Sequence, residues 1–525
     1  MTTKPDTLEE QRLALQAALD GKKKQAERNR LGQFATPTAL ARDVLTYGLS
    51  LTAKSEPLNF FDPAIGTGSF YAALMSTSTG RRIAAAHGFE IDPHYGEPAR
   101  AFWHGTPLQI TLGDFTRAEP PAIGKPNLLI CNPPYVRHHH LEPADKVRLQ
   151  NLARDRANLS LSGLAGLYCY FIALAHTWMA EGGLAGWLIP SEFMDVNYGR
   201  SLKDYLLREV TLLHIHRFDP NDVQFDDALV SSAVVWFRNE KPPADHKVMF
   251  SYGGTLQAPV IIKKINAQDL EKADKWTRFP KNDPAAEHDG YRLGDLFAIK
   301  RGLATGDNSF FILDEAKAKA LHLPPRFLRP ILPSTRYLKV DEISADENGV
   351  PLLDKRLFLL DCNLPEDDIR RDFPALWDYL KTGLAHVASR YLCRSRRYWY
   401  AQENRKPAPI VCTYLGRSDH AGRTFRFILN ESDATASNVY LLLYPQPLLA
   451  RQLAVRPNAM RGLWEALNSI KAETLLGSGR VYGGGLHKLE PKELANVPAD
   501  NLAALVGLEI KRHMKQKELV DELVA

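Results

Sequence analysis

Cysteine is scarce in this chain. Five cysteines in 525 residues, at 131, 169, 362, 393 and 412, form no C-x-x-C pair and no metal-ligand spacing. That excludes a disulfide scaffold and a zinc module and leaves reduced, buried thiols as the expectation. Three adjacent histidines, His138-His139-His140, cannot converge on one ion as ligands a helical turn apart do, so no metal is expected. Long apolar runs are missing too. No stretch approaches eighteen apolar residues, and Met1-Thr2-Thr3-Lys4 opens a polar segment with no signal-peptide core, so no membrane span is expected and a cytoplasmic protein is. There is no internal repeat. Neither sign of charge dominates: a net +5, with 24% charged and 45% hydrophobic residues, is a globular composition. The slight basic excess, a sequence pI near 8.7, permits a nucleic-acid partner without requiring one. The length suffices for at least two cores.

Against this background one short segment stands out. The apolar run Leu128-Leu129-Ile130-Cys131 leads into Asn132-Pro133-Pro134-Tyr135. A strand that stops at a stiff di-proline turn holds an amide and an aromatic ring at its carboxyl end, where open α/β sheets keep ligands. The side-chain oxygen of Asn132 and the carbonyl of Pro133 suit the two hydrogens of an exocyclic amine, and Tyr135 suits the ring that carries it. Alone, the tetrapeptide equally fits a plain strand-end turn. Upstream, Phe60-Phe61-Asp62-Pro63-Ala64-Ile65-Gly66-Thr67-Gly68-Ser69-Phe70 reads as strand, glycine turn and helix start, the glycines allowing backbone to pass close to a ligand. A second strand, around Ala85 to Phe89, ends in Glu90-Ile91-Asp92-Pro93. Glu90 follows Gly66 by 24 residues, close to the spacing at which an acid meets ribose hydroxyls in nucleotide-binding βαβ units. Next, in Leu112-Gly113-Asp114-Phe115, an acid beside an aromatic suits an adenine amine and ring face. Tyr71 stands where a dinucleotide fingerprint needs its third glycine, so a mononucleoside cofactor such as S-adenosylmethionine fits better.

In the order Gly32-Gln33-Phe34-Ala35-Thr36-Pro37, then the DPAIGTG turn, the FEIDP acid, GDF and NPPY, the chain resembles the amino-adenine DNA methyltransferases of the gamma, TaqI-like class. The resemblance runs motif by motif over about residues 30 to 240 and more loosely beyond. Ile65 departs from it, standing where many relatives have a smaller or sulfur-bearing residue, a change of packing more than of chemistry. The resemblance implies methyl transfer from S-adenosylmethionine to the N6 of a flipped-out adenine, catalysed at Asn132, Pro133, Pro134 and Tyr135. It adds Phe225, ahead of Ser231 to Phe237, as the aromatic closing the other face of the base. It also implies a cofactor pocket in which Ala64 and Gly66 meet the methionine portion, Asp62 its ammonium, Glu90 the ribose, and Ile91, Asp114 and Phe115 the adenine. Thr36, Asn132 and Phe171 complete that pocket. A type II restriction-modification setting, with a separate endonuclease whose cutting the methylation prevents, is the natural corollary; with about 30 residues ahead of the first motif no nuclease domain is expected there, and the tail is left open to one.

The fold expected is α/β, a doubly wound Rossmann-like methyltransferase sheet followed by a mixed α+β target-recognition domain. Residues 1–30 read as a polar helical extension with Lys22, Lys23 and Lys24 on a solvated face. Residues 31–240, where apolar strands alternate with helical stretches (Leu167 to Met179, Leu184 to Ile189, Leu212 to Phe218), read as the catalytic domain. Lys241-Pro242-Pro243-Ala244-Asp245 reads as the linker, and 245–525 as the part that meets double-stranded DNA. There Arg394, Arg396 and Arg397 lie among Tyr391, Tyr398, Trp399 and Tyr400, cations for phosphates or guanine edges beside rings that stack. A solvated basic loop over an aromatic core would read the same. Three other functions share parts of the pattern. Glutamine methyltransferases acting on protein also use NPPY but lack so large a carboxyl-terminal region. An RNA adenine methyltransferase would keep the pocket and read single strands. A catalytically silent DNA-binding regulator would have no need of the intact motif.

Overall fold

The apolar runs beside the two motifs become strands because both of their faces are covered. In a computed structural model, β1 (Leu58–Asp62), β2 (Ile83–Glu90), β3 (Leu108–Leu112), β4 (Leu128–Cys131) and β5 (Leu184–Pro190) pair side by side in parallel. The model describes residues 5–78, 81–120, 124–219, 231–280, 288, 290–417, 424–456, 458–472, 474–475, 480–482 and 486–508. Alternate residues of β4 enter different cores, Leu128 and Ile130 on one face and Leu129 and Cys131 on the other, and all four are inaccessible. Burial on both sides is why the run is continuously apolar instead of alternating.

The sheet continues through β6 (Thr211–Arg217), β7 (Ser232–Arg238), β8 (Lys247–Gly254) and β9 (Pro259–Asn266), in the order β3-β2-β1-β4-β5-β7-β6-β8-β9. β7 inserts antiparallel between β5 and β6. The alternation of strands and helices foretold the parallel half; the mixed half, in which β6 pairs antiparallel with β7 and parallel with β8, is set by pairing that no local pattern encodes. The chain order reverses at β1, between β2 and β4, so the carboxyl ends of these strands form the switch point where open α/β sheets take ligands. Around the sheet lie α1 (Pro5–Asp20), α2 (Gln25–Leu31), α3 (Thr38–Ser50), α4 (Ser69–Thr77), α5 (Pro93–Phe102), α6 (Pro143–Ala157), α7 (Leu167–His176), α8 (Gly199–Arg208) and α9 (Ala267–Lys272).

The chain divides into two compact units near residue 282. Lys241 to Asp245, expected to be a linker, instead joins β7 to β8 within one sheet; its prolines mark a strand-to-strand turn. The second unit is mixed α+β. Its larger sheet is built from β10 (Phe297–Arg301), β13 (Glu342–Ile343), β15 (Ile410–Thr413), β17 (Phe427–Asn430) and β18 (Tyr440–Pro445), and a smaller one from β11 (Ile312–Asp314), β12 (Leu328–Pro330) and β14 (Leu357–Leu360). A short β16 (Leu415–Gly416) pairs with Leu486–Lys488. The helices Pro447–Val455, Ala459–Asn468 and Asp500–Leu505 contribute Leu449, Leu463, Leu467 and Leu502 to the core on the larger sheet. All five cysteines are buried free thiols. Among the described residues no helix is long and apolar enough to cross a membrane.

Candidate active site

The glycine turn after β1 is held from two sides. Asp62 Oδ1 accepts from the Ala64 N–H at 3.0 Å, and Ile65 N–H donates to the Phe89 carbonyl at 2.9 Å, tying the turn to β2. Gly68, at φ +91°, caps α4, and a Cβ there would lie 2.5 Å from Trp103 Nε1, which donates to the Thr67 carbonyl at 2.9 Å. Gly68 is therefore required by a tryptophan, whereas a Cβ on Gly66 would meet no protein atom within 4 Å and would point into open space. Glu90, 9% exposed, closes the turn: one oxygen accepts from Gly66 N–H at 3.1 Å and the other from Asp92 N–H at 2.8 Å. Asp92 then starts α5 as its N-cap, followed by Pro93, the arrangement that the Asp-Pro pair favours.

Two carboxylates here are poorly solvated. Burial pushes Asp62 up to about 7, opposed by the Ala64 N–H and the Cys131 thiol and aided by neighbouring Glu90. Burial likewise raises Glu90 to about 7, with Asp92 adding to the shift and Lys23 opposing it. Both acids face a cavity of about 610 Å³, ample for a nucleoside-sized ligand. Thr36, Ala64, Gly66, Ile91, Asp114, Phe115, Asn132 and Phe171 line the same cavity, so the structure brings together the residues expected around the cofactor. Phe115 packs on Phe171 with ring centres 5.3 Å apart, giving the cavity an aromatic wall. Asp114 is partly engaged already: Oδ1 accepts from the Thr116 amide and hydroxyl, and Oδ2 faces Arg117 at 3.3 Å and Arg148 at 3.7 Å.

Asn132 sits at the end of β4 with its amide orientation determined by its partners. Nδ2 donates to the Phe34 carbonyl at 3.1 Å and to Thr36 Oγ1 at 3.2 Å. A carbonyl only accepts, so the amide cannot be reversed, and Oδ1 must point away from this pair. That oxygen is buried and receives no hydrogen bond from any described residue. Thr36, expected to touch cofactor, is thus also a support for Asn132. Pro133 is buried and Pro134 lines the cavity. The Tyr135 hydroxyl donates to the Leu188 carbonyl at 3.0 Å and its ring lies 5.8 Å from that of Phe34. Gly32, at φ +67°, touches the backbone of this turn: a Cβ would fall 2.4 Å from Tyr135 N. Phe225 lies outside the described residues, as does most of the glycine-rich stretch 477–485.

In the second unit the arginine cluster separates by role. Arg396 donates to the carbonyls of Ala304 at 2.6 Å and Thr305 at 2.9 Å, so it braces a loop. Trp399 packs on Phe310, ring centres 5.8 Å apart, and Tyr398 stacks on buried Tyr400, so both half-buried rings pack against the edge of a core. Arg394 and Arg397 are exposed, as is Tyr391. Pattern reading could not tell these apart, because the interleaving of cations and rings is the same in a core edge and in a binding face. It read the first helix but missed what its segment packs against. Lys23, read as solvated, pairs with Asp92 in the cavity wall, and Arg12 is buried on Thr67.

Comparison with known proteins gives a consistent set of relatives. The family model for the C-terminal domain of type II methyltransferase M.Eco57I matches residues 282–525, and that for the Eco57I restriction-modification methylase matches residues 113–224. Type II methyltransferase M.XamI of Xanthomonas campestris pv. amaranthicola is 28% identical over 484 residues, covering 91% of this chain and 86% of its own. Type II methyltransferase M.AccI of Acinetobacter calcoaceticus is 26% identical over 485 residues, covering 89% and 85%. Among solved structures, the type IIL restriction-modification enzyme MmeI in complex with DNA aligns with a TM-score of 0.51 at 12% identity, covering 93% of this chain and 74% of that one, a likeness of fold.

Proposed function

We propose that this chain, a DNA methyltransferase of the type II restriction-modification kind, moves a methyl group from S-adenosylmethionine to the N6 of an adenine flipped out of duplex DNA. The observation that carries the reading is Asn132 Oδ1, a buried acceptor with its own amide hydrogens already engaged. Buried polar atoms are nearly always paired, and one left without a donor at a cavity marks where a ligand donor belongs.

The cavity suits the cofactor on its own chemistry: a carboxylate at Glu90 for ribose hydroxyls, a carboxylate at Asp62 for an ammonium, an aromatic wall at Phe115 and Phe171, and a backbone turn at Gly66 with no side chain in the way. Bound there, S-adenosylmethionine supplies an electrophilic methyl carbon on a sulfonium. The chain's own contribution is at the amine. Accepting one hydrogen at Asn132 Oδ1 and the other at the Pro133 carbonyl draws the N6 lone pair out of conjugation and aims it, so positioning and fixed dipoles lower the barrier. The Tyr135 ring, held by its hydroxyl and by Phe34, offers a stacking face that offsets part of the cost of flipping. Phe225 serves the opposite face in this reading. The unit after residue 282 recognises the target duplex, with Arg394 and Arg397 among its exposed cations, and the enzyme works in the cytoplasm beside a separate endonuclease.

The test is modification-sensitive sequencing of DNA from cells expressing the wild type or Asn132→Ala. N6-methyladenine should recur at one sequence with the wild type and be absent with the variant, whose affinities for cofactor and DNA should stay within about tenfold. Modified cytosine, or DNA without N6-methyladenine in cells expressing the wild type, rejects the proposal.

A further inference from the structure

The segment ahead of the first motif is built into the cavity wall. α1 lies on the glycine turn through an arginine that is 1% exposed: Arg12 donates twice to the Glu9 carboxylate at 2.7 Å and once to Thr67 Oγ1 at 2.9 Å. The Thr67 hydroxyl in turn donates to Gln16. A buried ion pair is tolerated only where its donors are met, so this contact specifies where α1 sits. At the end of α1, Asp20 accepts from the Tyr95 hydroxyl at 2.8 Å and the Leu19 carbonyl lies 2.9 Å from His94 Nε2, fastening the helix to α5.

Just beyond, Lys23 pairs with the Asp92 carboxylate, lies 3.5 Å from Gln33 Oε1 and stands 5.2 Å from the centre of the Tyr95 ring, its side chain only 12% exposed. Gln33 Nε2 donates to the same Asp92 oxygen at 2.8 Å. Asp92 N–H donates to Glu90. A lysine from one turn and a glutamine from the next therefore converge on the acid edge that ends β2. An exposed pair of this kind would be expendable; one enclosed by an aromatic ring, an amide and a cavity is not.

We infer that residues 5–33 are a clamp on the cofactor cavity in which Lys23 is a positioning residue, holding Asp92, and through the Asp92 N–H the Glu90 carboxylate, in place for the ribose hydroxyls of a nucleoside cofactor. The inference rests on reading the cavity as an S-adenosylmethionine site, and its failure is distinguishable from failure of that reading. S-adenosylmethionine is titrated calorimetrically into the full-length wild type, Lys23→Ala and Lys23→Arg, and amide exchange over residues 5–33 of the wild type is followed with and without it. Lys23→Ala should bind about tenfold more weakly or worse, Lys23→Arg should stay within about threefold, and exchange over 5–33 should slow on binding. In turnover Lys23→Ala should raise KM for the cofactor far more than it lowers kcat. A wild type that does not bind S-adenosylmethionine sinks the functional reading itself. A wild type that binds, with Lys23→Ala within about twofold of it, overturns the clamp alone. Should Lys23→Ala not fold, wild-type exchange decides: slower exchange on binding supports the clamp, and unchanged exchange overturns it.

Discussion

Asp62 is held where a carboxylate is costly. Its folded value near 7 lies above its ordinary 3.8, so between those pH values the folded chain holds a proton that the unfolded chain has released. Stability from this group is therefore lost as pH rises from about 4 to about 7 and stays lost above. Asp62→Asn keeps an oxygen for the Ala64 N–H and removes the charge. The cofactor-free variant should melt at or above the wild type at pH 8, by an increment on the order of 1–3 kcal/mol that shrinks toward pH 4. The rise in Tm on adding S-adenosylmethionine should be smaller in the variant, because the carboxylate that would meet the ammonium is gone. Melting curves across pH with and without cofactor read both effects. A variant less stable than the wild type by the same margin at every pH would show that the charge carries no cost here.

At the scale of elements, the first motif and the NPPY turn act as one piece. Phe34 and Thr36 orient the Asn132 amide, and Gly32 lies against the Tyr135 backbone at a positive φ. Gly32→Ala adds a Cβ into that contact and strains the backbone. The loss of stability should be about 1–3 kcal/mol, with kcat reduced far more than cofactor affinity, since the Gly66–Glu90 edge is not touched. Methyl incorporation and cofactor titration separate the two. Full kcat in a folded Gly32→Ala would show that the contact does not set the turn. That the GQFATP segment belongs with NPPY was legible from the order of motifs; that it is a hydrogen-bonding support was not, because the partner atoms are 96 and 98 residues apart.

For the whole molecule, the division near residue 282 gives two compact units, and the proposed function assigns them different work. Both cores that flank the nine-stranded sheet are drawn from residues before 280, so a fragment ending there has what it needs to fold. It should bind S-adenosylmethionine and lose sequence-specific duplex binding. In the full chain, Arg396→Ala should lower Tm, because it strips two backbone carbonyls of their donor. Arg394→Ala and Arg397→Ala should leave Tm alone. A phosphate contact at either weakens all duplexes alike and lowers the salt slope by about one, whereas a base contact relaxes one position of the site. Duplex binding across salt is the measurement; wild-type binding and discrimination in both variants would move recognition to other residues of the second unit.

What the sequence by itself determined is whatever depends on neighbours along the chain. Strand, glycine turn and capped helix follow from local chemistry, so DPAIGTG, EIDP and NPPY could be read as an ordered set of ligand-facing strand ends, and the parallel half of the sheet came with them. Tertiary structure alone decided what each side chain does once distant segments meet. It turned Lys23 from a solvated charge into the wall of a cavity, and it made Arg396 a brace on a loop and packed Trp399 against a core. It joined residues 241–245 within a sheet instead of between domains. In each case the local pattern is the same for both outcomes, and burial against a partner far along the chain, such as Asp92 for Lys23 or Ala304 for Arg396, is what separates them.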